Sequence, residues 1–240
     1  MKVLGIDTSG YANAIGVSDG DRISGDAFFE AKTDSLEKIV SNIDYVLKEA
    51  GLCLGDIQGI GVGLGPGSWT GIRVGVTVGK VLAYSTGKPV CGIPTLKVLA
   101  YSAGDTSALV CPVIYAGTRD TVYAAFYRRG EDMITREGEY YVGSIAGLIE
   151  MINEPAIMTG SGAEAYRHLF EQKAVSSGFA IEVVESVLSG AMVARLAARR
   201  FGRGESDDAL SLEPLYLKES TARAFVSRYS AGAQAKGEGG

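Results

Sequence analysis

Between residues 57 and 86 the chain passes from an apolar, glycine-punctuated strand through the turn Gly65-Pro66-Gly67 and directly into a long helix. Ser68 and Thr70 stand where a hydroxyl can accept from the unpaired first-turn N–H groups of that helix. The turn glycines let the backbone approach a neighbour or a ligand, and a helix N-terminus behind such a loop is a natural cradle for phosphate. Farther along, Gly71, Gly75 and Gly79 recur four residues apart on one face. An interior helical glycine costs about 1 kcal/mol relative to alanine, so a stripe of them predicts a second backbone packed closely there. A strand–loop–helix unit of this kind belongs to α/β architecture, where ligands gather beyond the carboxyl ends of the strands.

The flanking segments put that unit into a repeating order. Residues 2–8, 13–18 and 22–30 read as strands, with Asp19-Gly20 as the turn signal between the second and third. Residues 36–50 read as a helix whose apolar stripe is Leu36, Ile39, Val40, Ile43, Val46 and Leu47, with Gly51 just past its end. Strand 57–64, helix 69–86, strand 89–93 and helix 95–102 complete a βββαβαβα half. The second half repeats the order more loosely. Strands 108–115, 121–128 and 133–142 precede helix 144–152 and strand 156–159; Gly160-Ser161-Gly162 opens a helix over 163–173, and strand 180–184 and helix 189–201, closed by Gly202, follow. The halves share negligible sequence identity, so the repeat rests on element order alone. That order is the layout of a duplicated α/β fold of the actin-like, RNase H-like ATPase (ASKHA) kind. It implies two subdomains, 1–105 and 106–221, divided near Asp105, and a small polar tail, 222–240, that frays.

Composition narrows the functional classes. The net charge of −5 offers no general attraction to nucleic acid or anionic membrane, so contact with RNA requires a local patch or a basic partner. No apolar run approaches the ~20 residues of a membrane helix. The opening strand leaves no room for a signal peptide, which makes the cytoplasm the expected compartment. Cys53, Cys91 and Cys111 are widely spaced and read as free buried thiols. His168 is the single histidine, which leaves no conventional zinc site and no Ser-His-Asp triad unless His168 is its base. Gly79-Lys80 lies mid-helix and lacks the remaining positions of a phosphate-binding P-loop, so Lys80 reads as a solvated or interface charge.

Two sets of candidate residues remain. Asp7, Thr8 and Ser9 end the first strand, and Gly65, Gly67 and Ser68 form the turn before the glycine-striped helix; together they are the nucleotide or phosphate candidates. The alternative for Asp7-Thr8-Ser9 is a turn and cap. The second set is a partner interface on the two helices of the first half: Leu36, Ile39, Ile43 and Val46 on one, and Trp69, Gly71, Ile72, Arg73, Gly75, Val76 and Gly79 on the other. From Ile72 to Ala83 the second helix is nearly apolar all round, the signature of burial on more than one side, as in a four-helix bundle with a partner. The competing account is that both helices only cover their own sheet. In the second half, Tyr115, Thr118, Arg119 and Asp120 stand where a second phosphate motif belongs, and no Asp-x-Gly follows that strand. That half therefore reads as degenerate as an ATPase.

Val3-Leu4-Gly5-Ile6-Asp7-Thr8-Ser9, the run from Gly63 through Gly75, and Lys80 together resemble the TsaB (YeaZ) family, with weaker echoes at Thr159-Gly160-Ser161-Gly162 and Glu213-Pro214-Leu215-Tyr216-Leu217-Lys218. The resemblance spans nearly the whole chain. It implies a non-catalytic subunit in the formation of threonylcarbamoyladenosine next to the tRNA anticodon. In that family the metal-bearing paralogue TsaD transfers the threonylcarbamoyl group, and the ATPase TsaE completes the complex. The implied partners are thus TsaD, through helices of the first half, and TsaE, with a homodimer through the same surface as a further form and tRNA reached only through the complex. No cofactor is bound tightly; ATP or ADP is expected at the interface with TsaD. TsaD-type proteins carry a His-x-x-x-His metal motif on the first helix. Here that stretch reads Asp34-Ser35-Leu36-Glu37-Lys38-Ile39-Val40-Ser41, with Ser35 in place of the single His usual in TsaB relatives and Ser41 in place of their usual Pro. The absence of imidazole removes metal-dependent hydrolysis from consideration. The alternative function is a small actin-fold ATP-dependent metabolite kinase or ATPase.

Overall fold

The computed structural model describes residues 1–30, 38–104, 106–118, 120–130 and 134–217. The first half contains β1 (Lys2–Asp7), β2 (Ala12–Asp19), β3 (Arg22–Glu30), α1 (Ile39–Glu49), β4 (Gly59–Gly63), α2 (Trp69–Thr86), β5 (Val90–Ile93) and α3 (Thr95–Ser102). The second contains β6 (Leu109–Tyr115), β7 (Thr121–Arg129), β8 (Ile134–Ser144), α4 (Ile145–Met151), β9 (Ala156–Thr159), α5 (Ser161–Ala165), α6 (Arg167–Ser177), β10 (Ile181–Val184) and α7 (Gly190–Gly202). The first sheet runs β3-β2-β1-β4-β5 and the second β8-β7-β6-β9-β10. In each, an antiparallel three-stranded meander continues into two parallel strands. The duplication inferred from element order is therefore present in both sheets.

Strand alternation sorts β1 between two layers. Leu4 and Ile6, with Ile15 and Val17 of β2, face the buried stripe Ile39, Ile43, Val46 and Leu47 of α1. On the same face, Ile72, Val76 and Ala83 of α2 meet Ile60 and Val62 of β4 and Val90 of β5. Val3 and Gly5 point the other way, to α7. That helix lies in a trough floored by Gly5 and Gly16, where a Cβ would collide with the backbone of Gly190, Ala191 and Ala194, and by Gly61, where it would stand 2.8 Å from the Ala197 Cβ. Asp26 of β3 fixes the helix start, accepting from the Ser189 hydroxyl at 2.6 Å and the Ala191 N–H at 3.0 Å.

α7 belongs to the second half by sequence and packs on the first sheet, whereas α3 belongs to the first half and packs on β6, β7 and β8. The final helix of each half thus lies on the other half's sheet, and the two helices touch. Leu96, Val98 and Tyr101 of α3 share one core with Val110, Tyr127 and Ile134 of the second sheet and Val193 and Ala197 of α7. α4, α5 and α6 cover the outer face of the second sheet through Leu148, Ala163 and Phe170.

Several expectations need correction. The helix over 163–173 is two helices, because Tyr166 leaves helical geometry at φ −115. A single 3-10 turn, Leu54–Asp56, adds an element that the sequence pattern does not announce. Cys91 and Cys111 are buried, but Cys53 is exposed. Leu36 and the start of the first helix, Ser35, Asp105, Arg119, Met133, Lys218 and the tail 222–240 lie outside the described residues. Among the described residues no helix is long and apolar enough to cross a membrane.

Candidate functional site

Parallel pairing of β1, β4 and β5 brings their carboxyl ends to one edge, where Asp7, the loop after Gly63 and Thr95 meet. Asp7 has no solvent exposure. One carboxylate oxygen accepts from the Ser9 N–H at 2.8 Å and the other from the Thr95 hydroxyl at 2.7 Å. The Thr95 oxygen in turn accepts from the Gly65 N–H at 3.1 Å and lies 3.1 Å from the Ser9 hydroxyl. Burial pushes the Asp7 carboxyl above the usual carboxylate range, against the opposing pull of the Ser9 and Thr95 hydrogen bonds. Gly63 makes this possible, since any Cβ there would collide with the Asp7 carboxylate. Sequence reasoning does not find Thr95 or Gly63. The available signals are a hydroxyl directly after strand and proline at Pro94-Thr95, and a glycine ending an apolar strand.

The structure brings all six phosphate candidates together and shows what occupies their donors. The Ser68 N–H donates to the Ser9 carbonyl at 2.7 Å, and the Gly71 N–H to the Ser68 hydroxyl at 3.2 Å, which caps α2. With Gly65 engaged by Thr95, three loop and first-turn amides already donate within the chain. Gly67 lies so close to Ser9 that a Cβ would strike the Ser9 carbonyl. Thr8 turns to the opposite side and donates to the Gly71 carbonyl at 2.6 Å. The arrangement is a hydrogen-bonded latch between β1, α2 and α3.

Beside the latch, a cleft of about 280 Å³ opens between the halves. Ser9, Gly10, Tyr11, Leu99, Ile114 and Leu188 are among the residues that line it. Among the described residues its charged lining groups are Glu164 and Glu185, with no lysine or arginine. Arg167 holds Glu164 through contacts of 2.7 and 2.8 Å. An apolar, acid-lined cleft is the wrong electrostatic setting for a polyphosphate. Among the described residues, no three His, Cys, Asp or Glu side chains are grouped to hold a metal ion.

The interface candidates divide by direction. Ile39, Ile43, Val46, Ile72 and Val76 are buried in the chain's own core, and Gly71, Gly75 and Gly79 face Thr8 and Val62 of its own sheet. The glycine stripe meets the carbonyl and side chain of Thr8, just past β1, and the side chain of Val62 of β4, and these eight residues are turned into the chain's own core. Arg73 does face outward, in a groove shared with Thr70, Val74, Thr77 and Val78. Trp69 is half-exposed and stacks on Tyr216 with ring centroids 4.1 Å apart. The outward face carries Val81 and Tyr84 of α2, 59% and 71% exposed, and Val40 and Tyr45 of α1, 63% and 52% exposed; the two tyrosines are the members that apolar periodicity does not single out. Lys80 is half-buried, and its ammonium donates to the carbonyls of Leu210 and Leu212 at 3.1 and 2.9 Å, which ties the C-terminal segment to α2.

Comparison with known proteins agrees with this geometry. The protein-family model described as "TsaD: tRNA N6-adenosine threonylcarbamoyltransferase" matches residues 29–227. The Bacillus subtilis protein named "tRNA threonylcarbamoyladenosine biosynthesis protein TsaB" is 26% identical over 227 residues, which are 93% of this chain and 97% of that one. Among solved structures, YeaZ from Pseudomonas aeruginosa aligns with a TM-score of 0.72 at 22% identity, covering 90% of this chain and 99% of its own. The ROK hexokinase of Thermus thermophilus aligns at 0.51 and 16% identity, covering 84% of this chain and all of its own, a likeness of fold alone.

Proposed function

We propose, for a chain that belongs to the TsaD family of tRNA N6-adenosine threonylcarbamoyltransferases and within it to the TsaB (YeaZ) branch, the role of a non-catalytic subunit in threonylcarbamoyladenosine formation. The observation that carries this reading is the closed latch. Asp7 stands at the strand end where a nucleotide phosphate or its metal would be approached, yet it is sealed by Ser9 and Thr95, and the loop amides beside it are already bonded. A carboxylate with no exposed lone pair has little to offer a hard cation, which takes its oxygen ligands directly or through water. The chain therefore contributes surface rather than chemistry, acting in the cytoplasm. The partner is TsaD, engaged through the outward face of α1 and α2 around Val40, Tyr45, Arg73, Val81 and Tyr84. TsaE completes the assembly, and ATP or ADP belongs to the interface with TsaD, not to this chain alone.

The test is reconstituted threonylcarbamoyl transfer to tRNA with TsaD, TsaE and the adenylate-forming enzyme, with and without this chain. Modified tRNA forms only when the chain is present, and the chain by itself hydrolyses no ATP. Equal output without the chain overturns the reading.

A further inference from the structure

The cleft beside the latch is apolar in two ways. Leu99 of α3, Ile114 of β6 and Leu188 before α7 line it as buried or half-buried side chains, whereas Tyr11, Phe28 and Val187 line it and are exposed to solvent. Three large apolar side chains from three separate segments, gathered at one opening, mark a surface that a guest can cover. The charge comes from Glu164 and Glu185. Arg167 donates to both oxygens of Glu164 and to the Val183 carbonyl, so Glu164 is already paired. Glu185 makes no hydrogen bond or close ion pair among the described residues, and Arg167 acts on it only through its field. Two carboxylates against one guanidinium leave negative charge in excess. The Ser186 hydroxyl, also in the lining, is shut off from solvent and has no hydrogen-bond partner among the described residues. Leaving a buried hydroxyl unpaired is costly, and a guest with a polar group within reach removes that cost. The Ser9 and Thr95 hydroxyls are different, being committed to the latch.

We propose that this cleft binds a small organic cation, an ammonium group carried on a compact apolar or aromatic body. The body covers the apolar lining, and the ammonium meets Glu185, the carboxylate that has no partner of its own. Apolar walls thin the water between two such charges and strengthen their attraction. At about 280 Å³ the space lies just below the ~300–1,000 Å³ of common ligand pockets, which limits the guest to a small molecule. A phosphate or carboxylate guest would meet the excess negative charge. Gly10 is part of the lining, and a Cβ on it would have no atom nearer than 3.6 Å, so the space at that wall is open. The inference goes beyond the role in tRNA modification and does not depend on it.

The experiment titrates the full-length chain with tryptamine and follows backbone amide shifts by two-dimensional NMR, beside the neutral analogue tryptophol and the anionic indole-3-propionate. Tryptamine shifts the amides of Gly10, Gly160 and Glu185 and binds about fivefold more tightly than tryptophol, the upper end of what a carboxylate open to solvent supplies. Indole-3-propionate binds more weakly than either. Glu185→Gln, at an exposed position without a fold contact, lowers tryptamine to the affinity of tryptophol. Gly10→Leu fills the space and removes binding of all three probes while the circular dichroism spectrum is unchanged. Equal affinity for tryptamine and tryptophol overturns the proposal. So do shifts confined to residues outside the cleft, or no response at millimolar tryptamine. ADP serves as the control on the functional reading. If ADP shifts the same amides more strongly than tryptamine, the cleft is a nucleotide site, and both this proposal and the reading of a chain that holds no nucleotide alone fall. If neither ligand gives a response, only the cation site is wrong.

Discussion

Asp7 is held in place by a threonine 88 positions away in sequence. The Asp7-Thr8-Ser9 run marks the end of the first strand, but nothing local says that the carboxylate is closed off. That depends on Thr95, which only parallel pairing through β4 to β5 brings near. Burial raises the Asp7 pKa above its ordinary 3.8, so the unfolded chain releases this proton first. Asp7 therefore makes stability fall as pH rises from about 4 to the raised value, and the loss is complete above it. Asp7→Asn keeps the shape without the charge. It should gain on the wild-type protein as the pH rises above about 4, in urea titrations at each pH. Parallel pH profiles for the two proteins would remove the buried carboxylate from the account. Asp7→Ala strands the Thr95 hydroxyl and the Ser9 N–H and should cost about 2–3 kcal/mol across the range.

The glycine stripe of α2 shows how far helical spacing reaches. Gly71 meets a backbone at close quarters, the Thr8 carbonyl, whereas Gly75 and Gly79 meet the side chains of Thr8 and Val62; spacing alone puts all three on one face. It does not say which neighbour that face meets, because an apolar stripe reads the same against a sheet or a partner. Contact with Thr8 and Val62 settles the direction. In an isolated helix Gly75→Ala would gain about 1 kcal/mol. Here the new methyl would strike the Thr8 hydroxyl, and overpacking of this kind costs about 1–3 kcal/mol. The prediction is a net loss of stability by urea denaturation, and a net gain would show the stripe to be loosely packed. On the outward face the expectation reverses. Val81→Glu should change stability by no more than about 0.5 kcal/mol, as at other exposed sites. It should nevertheless weaken association with TsaD at least tenfold by calorimetry, since it puts a charge into an apolar contact. Unchanged association would move the partner to another surface. The segment 163–173 reads as one helix for the same reason, as periodicity carries across the break at Tyr166.

The repeat of βββαβαβα is legible because each element has its own period, turn and cap, and the identical strand order of the two sheets follows from that order. The exchange of final helices is not legible. α3 and α7 each carry an ordinary small-residue and apolar pattern, and nothing in such a pattern names the sheet that it covers. The exchange has a thermodynamic consequence. Without α7, the first sheet exposes Val3 and the trough of Gly5, Gly16 and Gly61; without α3, the second loses Leu96, Val98 and Tyr101 from its inner core. Each half is thus stabilised by a helix that the other supplies, and the two should unfold as one unit although the chain is longer than the domains of under about 150 residues that usually unfold so. Trp69, the only tryptophan, reports on the first half, whereas far-ultraviolet circular dichroism reports on both. Urea transitions followed by the two signals should coincide, and a fragment of residues 1–104 should remain unfolded by the same measures. Two separated transitions, or a folded fragment, would mean that the exchanged helices contribute little and that the halves are independent domains. A single transition would place the latch at Asp7 and helix α7 within one cooperative unit, because α7 lies on the strand that carries Asp7.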